Sequence, residues 1–459
     1  MQKLSRFLLL LCIALSYAGT TKAATDNLCR PLPDSWKYSE GAVQTLPSSD
    51  GWWSLFDDPL LDSLISMGED ANLDLAMAYR RMQAAATQMT AARAAYYPTV
   101  GLSAGYTREH LGGENSNQWS LGASASWQID VFGRVHAALK QKKALYKASR
   151  AEWTGAMVTM AGSIATTYIQ LRVWQAELAV ASRHAEVQDS ITALVNARFE
   201  CGLAAKPQLA QAQATLHSLK ASIPQLKTSI ATAISSLALL TGRYPGELEP
   251  MLMPARALPD YHHLVSTGVP AELLRRRPDI LQAEYQLAAA AAAVGIAKKD
   301  FLPTLSLEGS VGVAAPRPGD MFTSEGFHYS IAPTLSWTVF DGFARRAAVA
   351  SAREEMEEQI ASYNYTVINA YNEVGNALVQ YRNLIQQIGE YEQATNNARE
   401  FLHLSLDLYT QGLSPYSDVA TAQQNLLDYN NSLLVARGDA LTALINLYEA
   451  LGGGFSSDI

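Results

Sequence analysis

The chain has 459 residues, of which 17% are charged and 48% hydrophobic, and a formal net charge of −8. That length exceeds one ordinary domain and allows a sizeable core. The acidic balance argues against a general nucleic-acid binder, because nothing basic would offset phosphate repulsion.

Residues 1–23 read as an export signal. Lys3 and Arg6 form the charged head, Phe7 to Tyr17 the apolar run, and Thr21-Lys22-Ala23 a small-residue cleavage site. The run is too short to be retained as a membrane-spanning helix. Removing Lys3, Arg6 and Lys22 leaves 43 acids against 32 bases, so the exported chain carries −11. Cys12 departs with the signal, and Cys29 and Cys201 are too few for a disulfide scaffold. Leu11 precedes Cys12 and Asp26-Asn27-Leu28 precedes Cys29, where a lipid anchor needs a small residue, so lipidation is not expected. No apolar stretch of about 18 residues is counted after the signal, which argues against a transmembrane helix but leaves transmembrane strands open.

Residues 24–71 form an N-terminal arm, Pro-, Ser- and Asp-punctuated at first, in which Trp52-Trp53-Ser-Leu-Phe56, Leu60, Leu61, Leu64 and Ile65 begin a short amphipathic helix. A first repeat spans 72–242. It opens with an Ala-rich helix that Pro98 ends, followed by a hairpin over 98–130 in which the period changes to two. Val100, Leu102, Ala104 and Tyr106 alternate with Thr99, Gly101, Ser103, Gly105 and Thr107, and Leu121 to Ile129 repeat the pattern. From Arg134 to Glu200 there is no proline, which predicts one very long helix. Gly202 and Pro207 reverse the chain, Pro224 should kink the returning helix, and Gly242 and Pro245 stop it.

After a Pro-rich connector (243–274), residues 275–452 repeat the sequence of events: helix, hairpin (303–340), a proline-free run from Phe343 to Gln411, a turn at Gly412, and a returning helix. Residues 453–459 are a tail. Trp127 pairs with Trp337, Gly202-Leu203 with Gly412-Leu413, and Gly242 with Gly452, all at 337 − 127 = 210; Pro98 and Pro303 differ by 205. A register held this long indicates a tandem duplication.

Helices of about 65 residues are about 100 Å long at 1.5 Å per residue and must pack along one another. Strands of about ten residues match a tilted membrane crossing, yet four strands cannot close a barrel and open edges are not tolerated in lipid. The expected fold is therefore an α+β membrane protein: a homotrimeric 12-stranded transmembrane β-barrel, four strands per chain, continuing into a long α-helical barrel. Trp127 and Trp337 are candidate membrane-interface aromatics. The small, polar strand face implies a water-filled lumen.

At this point the sequence resembles the outer membrane factor family, the exit ducts of tripartite efflux pumps and type I secretion. The residues that carry the likeness are Trp53…Phe56, Arg276-Arg277-Pro278-Asp279-Ile280 with Ala283-Glu284, Phe301-Leu-Pro303, Ile129-Asp130-Val131-Phe132-Gly133, Phe340-Asp341-Gly342 and Asn446 to Gly454. The Arg-Arg-Pro-Asp-Ile run and the Leu-Gly-Gly-Gly ending resemble the branch that serves resistance-nodulation-division pumps. The resemblance implies outer-membrane localisation with the helical barrel in the periplasm, and an equatorial collar from arm, connector and C-terminus. It implies as partners a periplasmic adaptor protein, an inner-membrane transporter and outer-membrane lipid, and no cofactor or metal. It implies adaptor docking at the tips, 198–210 and 408–420, with Gly202, Leu203, Gly412 and Leu413. It also implies a closed entrance near Tyr409…Gly412…Asp418-Val419, with Asp418, Gln208, Tyr416 and Gln411 as gate candidates. Phe343 departs from the second Gly often found after Phe-Asp-Gly.

Plainer readings stand beside these. His262-His263 is a solvated pair rather than a metal site. Asp130 and Asp341 suit capping or turn roles, and Asp418 suits the first turn of a helix as well as a gate. A soluble coiled-coil scaffold and an exported hydrolase are the rival classes. The first needs no alternating hairpins, and the second lacks any visible nucleophile or metal motif. Type I protein secretion is the nearer alternative.

Overall fold

The computed structural model describes residues 51–259 and 276–453. The signal segment, Cys29, the His262-His263 pair and residues 454–459 lie outside these.

A short 3-10 turn (Trp52–Phe56) leads into α1 (Pro59–Ala71), whose first turn is capped by Asp58 accepting from Leu60 N at 3.0 Å. Then follow α2 (Leu73–Ala94), β1 (Thr99–Leu111), β2 (Glu114–Ile129), α3 (Arg134–Glu200), α4 (Lys206–Leu240) and α5 (Pro245–Leu252). The second half carries α6 (Pro278–Lys299), β3 (Thr304–Ala315), β4 (Phe327–Ser336), α7 (Ala344–Thr410) and α8 (Tyr416–Ala450). The repeat is visible in the lengths: α3 and α7 have 67 residues each, α4 and α8 have 35, and α2 and α6 have 22. Helix α4 runs through Pro224 without a break, so the kink expected there does not interrupt the helix.

Four helices end alike. Glycines 202, 242, 412 and 452 all take positive φ (73°, 65°, 76° and 105°), the left-handed conformation that closes a helix C-terminus. At each the next residue's N–H reaches back to a carbonyl five residues earlier; for example, Leu203 N donates to Arg198 O at 2.8 Å and Leu413 N to Leu408 O at 2.9 Å.

Two of these ends are spliced to the start of another helix. Asn72, the N-cap of α2, donates from Nδ2 to Leu240 O at 2.7 Å, and Arg277, the N-cap of α6, donates from Nη1 to Ala450 O at 2.8 Å. The accepting carbonyls are repeat partners (450 − 240 = 210) and so are the donors (277 − 72 = 205). A Cβ at Gly242 would lie 2.2 Å from Ala71 O, so glycine there allows the two ends to meet. Each chain thus presents two unbroken helices, α3 and α7, and two in-line composites, α4 with α2 and α8 with α6. Helix α8 packs against α7 and α3, while α6 lies between α3 and α7 higher up.

Helix α6 corrects one expectation. Its Ala-rich sequence is apolar and long enough to cross a membrane by composition, although no such stretch was counted from the sequence. Its packing between α3 and α7 and its splice to α8 make it part of the helical wall.

The main core lies at mid-height, where the arm covers the helices. Trp52 stacks on Tyr448 with centroids 5.6 Å apart, Phe56 packs beside it, and the Tyr168 hydroxyl donates to Asp58. A second, smaller core fills the far end, built on Ile191, Val195, Leu402, Tyr409, Tyr416 and Val419.

Candidate functional site

The four strands form one antiparallel sheet in the order β1-β2-β3-β4. The observed register sorts the side chains cleanly. Val100 pairs with Ala125, Leu102 with Ala123, Ala104 with Leu121, Leu121 with Val313, Trp127 with Leu307, and Leu307 with Pro333. One face is therefore apolar across all four strands. The other carries Ser103 opposite Gly122, Ser124 opposite Ser310, and Ser310 opposite Ser330. Among the described residues no helix covers the apolar face: Leu102 is 86% and Ile331 73% exposed. Strands β1 and β4 each leave one edge unpaired within the chain. In water such a surface would aggregate; in lipid, closed by other copies, it is stable.

The junctions from strand to helix are built twice on the same plan. Trp127 Nε1 donates to Tyr96 O and Trp337 Nε1 to Phe301 O, both at 3.0 Å. The two tryptophans thus fasten the ends of β2 and β4 to the chain entering β1 and β3. Asp130 accepts from Val135 N at 3.0 Å and His136 N at 2.9 Å, and Asp341 from Arg345 N at 3.2 Å, so both acids cap the following long helix. Replacing Trp127 or Trp337 by Phe should keep the apolar ring and lose one hydrogen bond, costing about 1 kcal/mol of stability. Thermal melting in detergent checks this.

At the far end, the turns between α3 and α4 and between α7 and α8 expose Gly202, Leu203, Gly412 and Leu413. Asp418 and Gln411 are exposed and Gln208 is half-buried. Asp418 accepts from Ser414 Oγ at 2.9 Å. Tyr416 behaves differently from its neighbours and corrects the expectation that it lines an entrance. It is fully buried between the helices, with its hydroxyl accepting from Gln188 Nε2 at 3.1 Å and its ring edge-on to Tyr409. Residues two apart on a helix point in nearly opposite directions, so Tyr416 and Asp418 cannot share a face.

Two polar residues that the sequence reading did not single out tie the tip together. Arg198 donates from Nη1 to Tyr409 O and Thr410 O, both at 3.1 Å, and its guanidinium lies 4.8 Å from the Tyr409 ring centroid. A cation at the last carbonyls of α7 is favourable with the helix dipole. Gln188 Nε2 also donates to Ala212 O at 2.9 Å, linking α3, α4 and α8. The repeat held the clue: the partners of Arg198 and Gln188 are Leu408 and Ala398, so polarity is confined to one copy.

Arg277 closes the second splice. Its guanidinium meets both Asp279 oxygens at 3.0 and 2.7 Å and Glu373 Oε2 at 2.7 Å, beside a cavity of about 500 Å³ that Glu449 also lines. Burial depresses the affinity of that guanidinium for its proton, but Asp279 and Glu373 outweigh it and leave the pKa raised. Among the described residues no group of three or more His, Cys, Asp or Glu side chains is disposed to hold a metal ion.

The family model for outer membrane efflux proteins matches residues 64–243 and 269–453. The chain belongs to this family. It is similar to nodulation protein T of Rhizobium leguminosarum bv. viciae, 28% identical over 93% of this chain and 89% of that protein. It is also similar to the pyoverdine export outer membrane protein OpmQ of Pseudomonas aeruginosa, 27% identical over 97% of this chain and 96% of that one. Among solved structures, the outer-membrane channel OprN superimposes with a TM-score of 0.86 at 29% identity, over 92% of this chain and 97% of that one. The two matched blocks coincide with the two repeats, and the uncovered apolar sheet face is that of a channel wall in the outer membrane.

Proposed function

We propose that this protein is, as a homotrimer, the outer-membrane exit duct of a tripartite efflux pump of the resistance-nodulation-division type, and that it has no catalytic activity of its own. The observation that carries the reading is the four-stranded sheet with one continuous apolar face, one small polar face and two open edges. Three chains supply twelve strands, and the long helices below continue the barrel as a tube of about 100 Å. The described parts of the arm and connector, residues 51–71 and 243–259, pack against the helices near the splices. Small compounds diffuse through the lumen, and energy comes from an inner-membrane transporter coupled through a periplasmic adaptor. Gly202, Leu203, Gly412 and Leu413 are the adaptor's docking points.

Asp418, Gln208 and Gln411 border the periplasmic entrance. Three symmetry-related Asp418 carboxylates favour cations. Tyr416, Arg198 and Gln188 set the spacing of the helices behind them. Single-channel recording in planar bilayers tests both levels of the reading. The wild-type trimer should conduct with cation preference, and Asp418→Asn should reduce that preference. Trimers that never conduct would sink the duct, and unchanged selectivity would remove Asp418 from the entrance.

A further inference from the structure

The chain is acidic as a whole, yet its charges are not spread evenly along it. Helices α2 and α6 lead into the sheet, and α3 and α7 leave it, so each has one end at the strands. Residues 75–97, 134–151, 285–299 and 344–353, which make up those ends, contain fourteen lysines and arginines and no acid. Acids outnumber bases in the whole chain, so this stretch reverses the sign of its surroundings. The three acids at the junctions are already engaged. Asp130 accepts from Val135 N and His136 N, Asp300 from Arg134, and Asp341 from Arg345.

Between these helix ends and the sheet, the junctions expose large apolar side chains, among them Tyr97, Val131, Phe301 and Val339. Phe340 and Phe343 pack edge-on at 5.9 Å and are 77% and 66% exposed, the latter with φ at 70°. An apolar fringe continuous with the lipid-facing sheet marks the border of the hydrocarbon. The polar layer of a bilayer is about 5–8 Å deep on each side. The first acid on α7 is Glu354 and on α3 Glu152, about 15 and 27 Å from the starts of those helices. Headgroup depth is therefore free of helical acids.

The bases of α3 lie on one face. Positions 136, 140, 143, 147, 150, 154, 157, 161, 164 and 168 recur at spacings of four and three, which is a single stripe of a packed helix. Its lower part, Met157, Ala161, Ile164 and Tyr168, is buried where the arm packs: Tyr168 donates to Asp58, and a Cβ at Gly68 would meet Ile164 at 2.6 Å. An arm inside the tube would block it, so the covered face is the outer one. The upper part of the same stripe, His136, Lys140, Lys143 and Lys147, is exposed. Lys142, Lys299, Arg134 and Arg345 are engaged within the chain. Arg93, Lys140, Lys143, Lys298 and Arg346 are exposed and have no hydrogen-bond or ion-pair partner among the described residues. Both repeats contribute: Arg93 and Lys298 are copies (298 − 93 = 205), and Arg346 is the copy of His136 (346 − 136 = 210).

We infer that the outer wall just below the strands is a binding belt for anionic phospholipid headgroups of the periplasmic leaflet, centred on Lys140 and Lys143 with Arg93, Lys298 and Arg346. The inference rests on the reading of the sheet as a membrane barrel. Helical side chains lean toward the helix N-terminus, and the N-termini of α3 and α7 are their membrane ends, so Lys140, Lys143 and Arg346 reach up toward the headgroups. Phosphodiester oxygens accept from the ammonium and guanidinium groups. A headgroup with net negative charge, such as phosphatidylglycerol, gains from the uncompensated bases, whereas a zwitterionic one brings its own cation.

Lipid selectivity tests the belt. The full-length protein is reconstituted in phosphatidylcholine bilayers with spin-labelled phosphatidylglycerol or spin-labelled phosphatidylcholine, and the motionally restricted fraction of each label is measured. A base beside an anionic headgroup favours it by up to about fivefold, and only part of the lipid annulus touches the belt, so an overall preference of about twofold is expected. Replacing Lys140, Lys143, Lys298 and Arg346 together by Gln should bring the ratio to about one without changing the restricted phosphatidylcholine. Lys140→Gln with Lys143→Gln should already lower it, which gives a reading if the fuller variant inserts poorly. Arg183→Gln with Lys227→Gln, far down the helices, should leave it unchanged. A wild-type ratio of one, or a preference that survives both belt variants, would overturn the belt. Sodium phosphate and sodium chloride at equal ionic strength should weaken the preference equally; a larger effect of phosphate would replace the lipid belt by a free-phosphate site. No restricted lipid of either kind would instead sink the membrane barrel.

Discussion

Arg277→Ala is expected to cost about 2–3 kcal/mol per chain and to reduce the amount of folded trimer recovered from the outer membrane. Arg277 is 7% exposed and its guanidinium makes four hydrogen bonds, to Asp279, Glu373 and the Ala450 carbonyl. Removing one member of such a cluster leaves the others buried without compensation, which costs ~3–5 kcal/mol when the site is closed to water. Asp279 and Glu373 are each 44% exposed at their side chains, so water screens part of the loss and the lower figure applies. The cost has a second source. The Ala450 carbonyl ends α8, and the variant loses the hydrogen bond that Arg277 makes to it across the splice of α8 and α6. Lysine retains the charge but not the planar fork that serves three acceptors at once, so Arg277→Lys should fall between wild type and alanine. Thermal dissociation of the detergent-solubilised trimer ranks the three. An alanine variant that melts with wild type would show that the splice is held by packing alone.

Most of the fold was legible because its signals are local. The period-two alternation of the hairpins, the proline-free runs and the glycines at 202, 242, 412 and 452 are read from neighbours within a few residues, and each corresponds to an observed strand face, long helix or helix end. The duplication supplied the rest of the architecture, since one register at 210 predicts that whatever one half builds the other builds too. The splices were not legible. Asn72 and Arg277 act on carbonyls 168 and 173 residues away in sequence, and no local pattern says that two helices will meet end to end. The tip was only half legible. Sequence proximity put Tyr416 beside Asp418, whereas the helix turns them apart, one into the core and the other toward solvent. Arg198 and Gln188 could have been found by asking where the two repeats disagree in polarity. The same question singles out Phe343, where the departure from glycine coincides with a left-handed backbone.

The same comparison points to the pH response of the second splice. Leu239 of the first repeat is replaced in the second by Glu449, whose carboxyl is pushed up to about 7, chiefly by burial and then by the nearby charge of Glu373. Helix α8 presses this side chain onto α3 where residue 162 is glycine; a Cβ there would lie 1.7 Å from Glu449 Oε1. The charged groups around it are Glu373 from α7 and, at the start of α6, Asp279 and Arg277, four of whose five donors are taken by the other two acids and Ala450. A free glutamate titrates near 4.5, so between about 4.5 and about 7 the folded chain holds a proton that the unfolded chain has released. Stability must then fall as pH rises through that window and level off above about 7, with a total change of about 3 kcal/mol per chain. Glu449→Gln keeps the shape and removes the titration. It should match wild type near pH 4.5 and exceed it by about 3 kcal/mol at pH 8, read as a gap in thermal dissociation midpoints that opens as pH rises. A gap that stays constant across the window would show that Glu449 is already ionised in the folded chain, with water or a cation reaching it through the cavity beside Arg277.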